Sequence, residues 1–160
     1  MKRIVSVIVV LFVVFQLKGQ ENNQLNRILI SAIDSYTTNN KDLVRNKFSL
    51  QDTSRYYICM DGLPADFPYG NVQNATFFSL SNLKGIPDSF KHKLKKGINA
   101  LFISLNISNN QIIITISERI VRRPKKNNLN IAISDWGIFT YEYSCEKQKW
   151  ELKEPKYGGV

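Results

Sequence analysis

The stretch Ala100-Leu-Phe-Ile-Ser-Leu-Asn-Ile-Ser-Asn-Asn-Gln-Ile-Ile-Ile-Thr-Ile116 decides the fold. Leu101, Ile103, Leu105 and Ile107 alternate with Ala100, Phe102, Ser104 and Asn106. Period two places successive side chains on opposite faces of a strand. Ser108-Asn109-Asn110 has the chemistry of a tight turn, and Ile112, Ile114 and Ile116 resume the alternation beyond it. An antiparallel hairpin is expected. Further along, Phe139, Tyr141, Tyr143 and Cys145 share one face of a strand, opposite Thr140, Glu142 and Ser144. The turn Glu146-Lys147-Gln148-Lys149 then leads into Trp150 and Leu152, which predicts a second hairpin. Shorter strands are expected at Arg55–Asp61, Ala75–Leu80 and Asn130–Ser134, and loops at Gly62–Gln73 and Pro124–Asn128.

Outside these segments the period changes. Leu25, Ile28, Leu29, Ala32, Ile33 and Tyr36 recur at helical spacing, with Asn22 or Asn23 as a cap and Asn39 as a stop. This predicts an amphipathic helix over Asn23–Thr38 whose single apolar stripe must be buried against a sheet. Pro87 opens a short helix to Lys96 that presents Phe90 and Leu94 four residues apart and stops at Gly97. At 160 residues, 43% hydrophobic and 22% charged, the chain has the composition of one folded domain, and collagen-like, disordered and polytopic membrane classes are excluded. The predicted class is α+β, an N-terminal amphipathic helix packed on a curved antiparallel meander sheet. A lipocalin-like β-barrel is the alternative, because seven strand candidates could nearly close. Residues 21–160 are expected to form a single domain.

Residues 1–20 follow the order of a secretory signal peptide: Lys2 and Arg3, an apolar run Ile4–Phe15 broken only by Ser6, then a polar exit Gln16–Gln20. A run of 12 residues spans about 18 Å as a helix, short of the ~30 Å hydrocarbon core. Export to the periplasm or the extracellular space is therefore expected, with cleavage near Gly19 or Gln20 and no membrane span afterwards. No Cys follows the run to accept a lipid anchor. The helix-then-meander order resembles the cystatin-like and NTF2-like architectures. The leader ending Gly19-Gln20 and the tail Tyr141-Glu-Tyr-Ser-Cys-Glu-Lys-Gln-Lys-Trp150 resemble small exported proteins of Bacteroidota. That resemblance implies a fold and a compartment, and no activity.

The net charge of +9 is unevenly placed. Residues 84–126 hold ten basic residues against only Asp88 and Glu118, a local +8. One cluster is Lys91, Lys93, Lys95 and Lys96 around His92; the other is Arg119, Arg122, Arg123, Lys125 and Lys126, interrupted by Pro124. A face bearing both would attract an acidic polysaccharide, an anionic lipid surface or an acidic protein. The helix dipole is a sufficient structural reason for the lysines, and a solvated surface is the plain alternative. Nucleic acid is not favoured, since no arginine–aromatic interleaving or nucleic-acid motif is present.

Other chemistry is sparse. Cys59 and Cys145 are the only cysteines, and in an oxidising compartment they could pair, closing a long loop worth about 4 kcal/mol, or remain buried thiols. They have no CxxC spacing, and no metal site or cofactor is expected. His92 is the single histidine, so any histidine-dependent catalysis would have to use a residue set between two lysines. Asp61, Asp66, Glu118, Asp135 and Glu142 could supply a carboxylate pair, but no spacing singles out two. No phosphate-binding loop, zinc-protease, nucleophile-elbow or calcium-loop motif occurs. Tyr56, Tyr57, Tyr141 and Tyr143 could line a ligand cleft, or serve the core. The sequence thus leads to a non-enzymatic exported binding domain with a basic face over residues 84–126. The rival is a small hydrolase or ligand-binding protein with a carboxylate and tyrosine cleft.

Overall fold

The structure, a computed structural model, describes residues 24–39, 56–83, 85–108, 110–125 and 128–159. The expected leader, residues 1–20, lies outside the described residues, as does Lys126.

Helix α1 covers residues 24–39. Strand β1 (Tyr56–Cys59) follows, then two short 3-10 turns at Met60–Gly62 and Tyr69–Asn71, and β2 (Ala75–Phe78). Helix α2 (Asp88–Lys96) leads into β3 (Ile98–Ser108), β4 (Gln111–Lys125), β5 (Asn128–Ser144), β6 (Lys149–Leu152) and β7 (Lys156–Gly159). The strands form one curled sheet in the order β2-β1-β3-β4-β5-β6, with β7 also beside β5.

The fold is mixed α+β with a barrel-like sheet. The sheet is not an antiparallel meander throughout, because β1 runs parallel to both β2 and β3. The physical reason is the chain path. Between β1 and β2 it makes a crossover through residues 60–74, too long for a hairpin and sufficient for a parallel return. From β3 onward every pairing is antiparallel.

Period two explains the layering. On β3, Leu101 and Ile103 join a cluster with Ile28, Leu29, Ile33 and Tyr36 of α1, and with Ile112, Ile114, Ile116, Phe139 and Tyr141 of β4 and β5. The intervening Ile98 and Ala100 join a second cluster on the other face, with Val121 of β4 and with Phe90 and Leu94 of α2. Each helix therefore covers a different face of the sheet. Leu29, Ile33 and Ile114 are fully buried, and each such side chain contributes roughly 1.5–3 kcal/mol by leaving water.

Strand β5 is longer than the sequence pattern leads one to expect. The Asp135-Trp136-Gly137 segment has the composition of a turn or bulge, and it lies within a 17-residue strand and not in a turn. The register passes from Glu118↔Asp135 to Arg119↔Ile133, so Ser134 is an extra residue, a bulge that keeps the strand intact. Pro124 likewise lies within β4, at a second irregularity in the ladder rather than in a loop. Gly137 is required by close packing: a Cβ there would come within 2.8 Å of the Tyr36 ring.

Substitution at Gly137 is expected to push α1 off the sheet. Gly137→Ala should cost about 1–3 kcal/mol as an overpacking change, and Ile114→Ala about 2–5 kcal/mol through cavity formation. Denaturant unfolding of both variants checks this. A Gly137→Ala midpoint equal to that of the unmodified protein would show that α1 does not press on β5.

Candidate functional site

The basic residues are positioned by the docking of α2. Phe90 and Leu94 pack with Ile98, Ala100 and Val121, which lays the last turn of the helix, carrying Lys93, Lys95 and Lys96, beside β4. Arg122 Nε donates to the Lys95 carbonyl oxygen at 3.3 Å. A cation at the carbonyl end of a helix satisfies an otherwise unpaired acceptor and complements the helix dipole. This bond joins two clusters that are well separated in the sequence.

Within the patch the cations differ. Lys93 Nζ donates to the Tyr57 hydroxyl at 2.8 Å and sits 5.6 Å from that ring's centre. Arg119 stacks over Phe102, 4.6 Å from its centre, and its Nε donates to Ser117 Oγ at 3.0 Å. Lys91 is paired with Asp88 at 2.9 Å. Lys95, Lys96 and Arg122 are exposed, Lys125 ends β4, and Arg123 stands beside Arg122. His92 is exposed on α2 among the lysines.

Next to Arg119 the sheet face carries a shallow depression of about 330 Å³. Phe102, Ile133 and Trp136 are among its apolar lining residues, and Ser104, Thr115 and Ser117 are the hydroxyl-bearing ones. Nothing local in the sequence marks Trp136 or Ile133 as site residues. The signal for them lies in the alternation of Phe102 and Ser104 opposite Leu101 and Ile103, which marks a second face of β3 that α2 is too short to cover.

The four tyrosines do not form one cleft. Tyr56 belongs to the α1 side of the sheet, where its hydroxyl donates to the Thr37 carbonyl at 3.0 Å. Tyr57, its neighbour along the strand, faces α2 and packs on Phe90. Tyr141 is a buried core residue, and Tyr143 packs edge-on against Trp150. Adjacent strand residues point to opposite faces, which is enough to separate the first two. The cysteines do not pair either: Cys59 is buried in the cluster beneath α2, and Cys145 is exposed in the turn after β5.

The chain matches no known protein family, no curated protein and no solved structure. Its chemistry is therefore read from its own side chains. No three metal-ligating side chains gather among the described residues, and none of the described helices is long and apolar enough to cross a membrane.

Several carboxylates have structural partners. Asp61 accepts from the Ser79 hydroxyl and from the Leu80 N–H. Burial raises its pKa, but these hydrogen bonds outweigh burial and hold it below the ordinary value. Glu142 is held by Gln111 at 2.9 Å and Lys153 at 2.8 Å. Glu118 is different. It lies directly opposite Asp135 across the β4–β5 ladder. Burial pushes its carboxyl up and the Asp135 charge adds to the effect, while a hydrogen bond from Asn99 opposes both.

A carboxyl raised in the folded protein binds its proton more tightly there than in the unfolded chain. Stability is therefore lost as pH rises from the ordinary carboxylate range through the raised value. Glu118→Gln should raise Tm by a few degrees at pH 7, and the gain should shrink to nothing below about pH 4, where both states carry the proton. Thermal unfolding across that pH range checks it, and a Glu118→Gln protein less stable at pH 7 would show that the carboxylate is stabilising.

Proposed function

We propose that this protein is an exported, non-enzymatic binding domain that takes an acidic ligand or partner on the basic face formed by α2 and β4. The observation that carries this reading is the Arg122–Lys95 hydrogen bond. It turns two separate runs of charge into one surface, held together by the burial of Phe90 and Leu94. After the five basic residues from Arg119 to Lys126, no acidic residue follows until Asp135. Like charges this close raise the local potential, and a polyanion relieves their mutual repulsion. An acidic polysaccharide or an anionic lipid surface would satisfy the same chemistry.

Because exposed charges are screened over about 10 Å at 0.1 M salt, binding through this face must be steeply salt-dependent. On an immobilised sulfated polysaccharide, the protein should elute at clearly higher salt than a variant carrying Arg122→Gln, Arg123→Gln, Lys125→Gln and Lys126→Gln. Co-elution of the two at low salt would overturn the proposal and leave the cations as solvated surface. Lys93→Met should have a smaller effect, since its ammonium is already engaged with Tyr57.

A second reading, a small hydrolase, is favoured by one observation. Glu118 and Asp135 are cross-strand neighbours, one of them raised, and Glu118 acts electrostatically on the nearby Tyr56 hydroxyl. Two neighbouring carboxyl groups are the arrangement used in acid–base hydrolysis of glycosides.

A further inference from the structure

The segment Asn128–Ser134 of β5 pairs along one side with β4. Its other side is different. Strand β7 begins to pair with β5 only at Asp135, and β6 only at Tyr141. Among the described residues, no strand pairs with the outer edge of residues 128–134. Its sequence, Asn-Leu-Asn-Ile-Ala-Ile-Ser, has no charge and no proline. Leu129, Ile131 and Ile133 share one face of the strand and are 38%, 39% and 52% exposed. Proteins ordinarily blunt such an edge with lysines, prolines or inward-pointing charges, and this one carries none of them.

The cations stand one strand further in. Arg119, Arg122, Arg123 and Lys125 belong to β4, the inner neighbour of this edge. A strand added to the outside of β5 would lie about 4.8 Å from it, and so about 10 Å from β4. An arginine and a glutamate extended toward each other span that distance. The charge also selects the occupant. A second copy docking edge to edge would bring two such clusters together, with no acidic residue between Arg119 and Ser134 to offset them. An acidic strand would neutralise the cluster instead.

We propose that the outer edge of Asn128–Ser134 is a strand-addition site for an extended acidic peptide. Main-chain hydrogen bonds to β5 would supply the affinity. Apolar side chains would lie along Leu129, Ile131 and Ile133, and carboxylates on the opposite face would reach Arg122 and Lys125, which pair with Asn130 and Asn128 of β5. This is the geometry of strand addition, in which the ladder binds and alternate side chains select. It rests on the reading of the basic face above, and names the class of partner that face takes.

The test is a titration of the full protein at low salt with an eight-residue peptide of alternating Glu and Val. The comparison peptide has the same sequence with alternate backbone amides methylated, which keeps the charge and removes the donors. The unmodified peptide should bind at least tenfold more tightly, should slow hydrogen exchange of amides within 128–134, and should weaken against the four-residue neutralised variant. Equal binding of both peptides, lost in the neutralised variant, would overturn the edge site and leave the basic face standing. The edge site is overturned equally if neither peptide binds while sulfated polysaccharide is retained through the cations. Binding of peptides and polysaccharide alike that ignores the neutralisation would overturn the basic-face reading itself. Concentration-dependent dimers with protection of 128–134 in the absence of peptide would assign the edge to a second copy and overturn the proposal.

Discussion

The structure depends on a constraint set within β3, where the neighbours Ala100 and Leu101 are both buried. In a strand, neighbours face opposite ways. Burying both requires cover on both faces, and the chain supplies it with two helices of unequal size. Helix α1 brings Ile28, Leu29, Ala32, Ile33 and Tyr36 to one side; α2 brings only Phe90 and Leu94 to the other. The first side becomes a full core. The second becomes a partial one, sealed around Val121 and Ile98, with a half-covered face beyond it.

That inequality also places the charge. A nine-residue helix that buries two side chains has most of its remaining surface in water, so its lysines cost little there and gain from the carbonyl end of the helix. Val121 is the anchor for α2, and Arg122 is its immediate neighbour on β4. Once the helix docks, its terminal carbonyls fall within reach of the Arg122 side chain. The two basic clusters are thus neighbours because of hydrophobic burial, and the hydrogen bond between them follows from that docking. Cys59 lies in the same small cluster as α2, which accounts for a thiol kept away from the exposed Cys145.

Much of this is legible in the sequence wherever one periodicity runs unbroken. The stripe Leu25–Tyr36 and the alternation across Ala100–Ile116 each specify a local structure and a buried face without help from distant residues. The β3–β4 register, from Ile98↔Val121 to Ser108↔Gln111, follows from the turn at residues 108–111. The parallel placement of β1 is not legible, because it depends on where a crossover returns and not on any local pattern. Strand β7 is hidden by Gly158 and Gly159, residues that disfavour strands in isolation. Both are allowed here because any larger side chain would meet Trp136 or Asp135. The continuity of β5 is masked in the same way: Asp135-Trp136-Gly137 has turn composition, yet Gly137 is there to let Tyr36 approach. Of the candidate site, the cations can be counted from the sequence. Their meeting cannot, since it needs the docking of α2 on Val121. The tyrosine grouping fails for a reason already in the sequence, since residues 56 and 57 cannot share a face of one strand.

Strand length then explains why the functional features gather at one end. Helix α1, described over 16 residues, extends about 24 Å, whereas β5, at 17 residues, runs roughly 55 Å along its contour. No arrangement of that helix covers the whole of β4 and β5. The core occupies the half near Ile112–Ile116 and Phe139–Tyr141, and the other half projects past it. There Ile120, Leu129, Ile131 and Ile133 remain exposed, beside an uncharged edge and a strand rich in arginine. Beyond Val121, which anchors α2, this pair of strands contributes little to a core. It leaves apolar side chains in water, and, among the described residues, a strand edge without a pairing strand beside a run of mutually repelling cations; a single extended acidic partner would cover the first, pair with the second and offset the third.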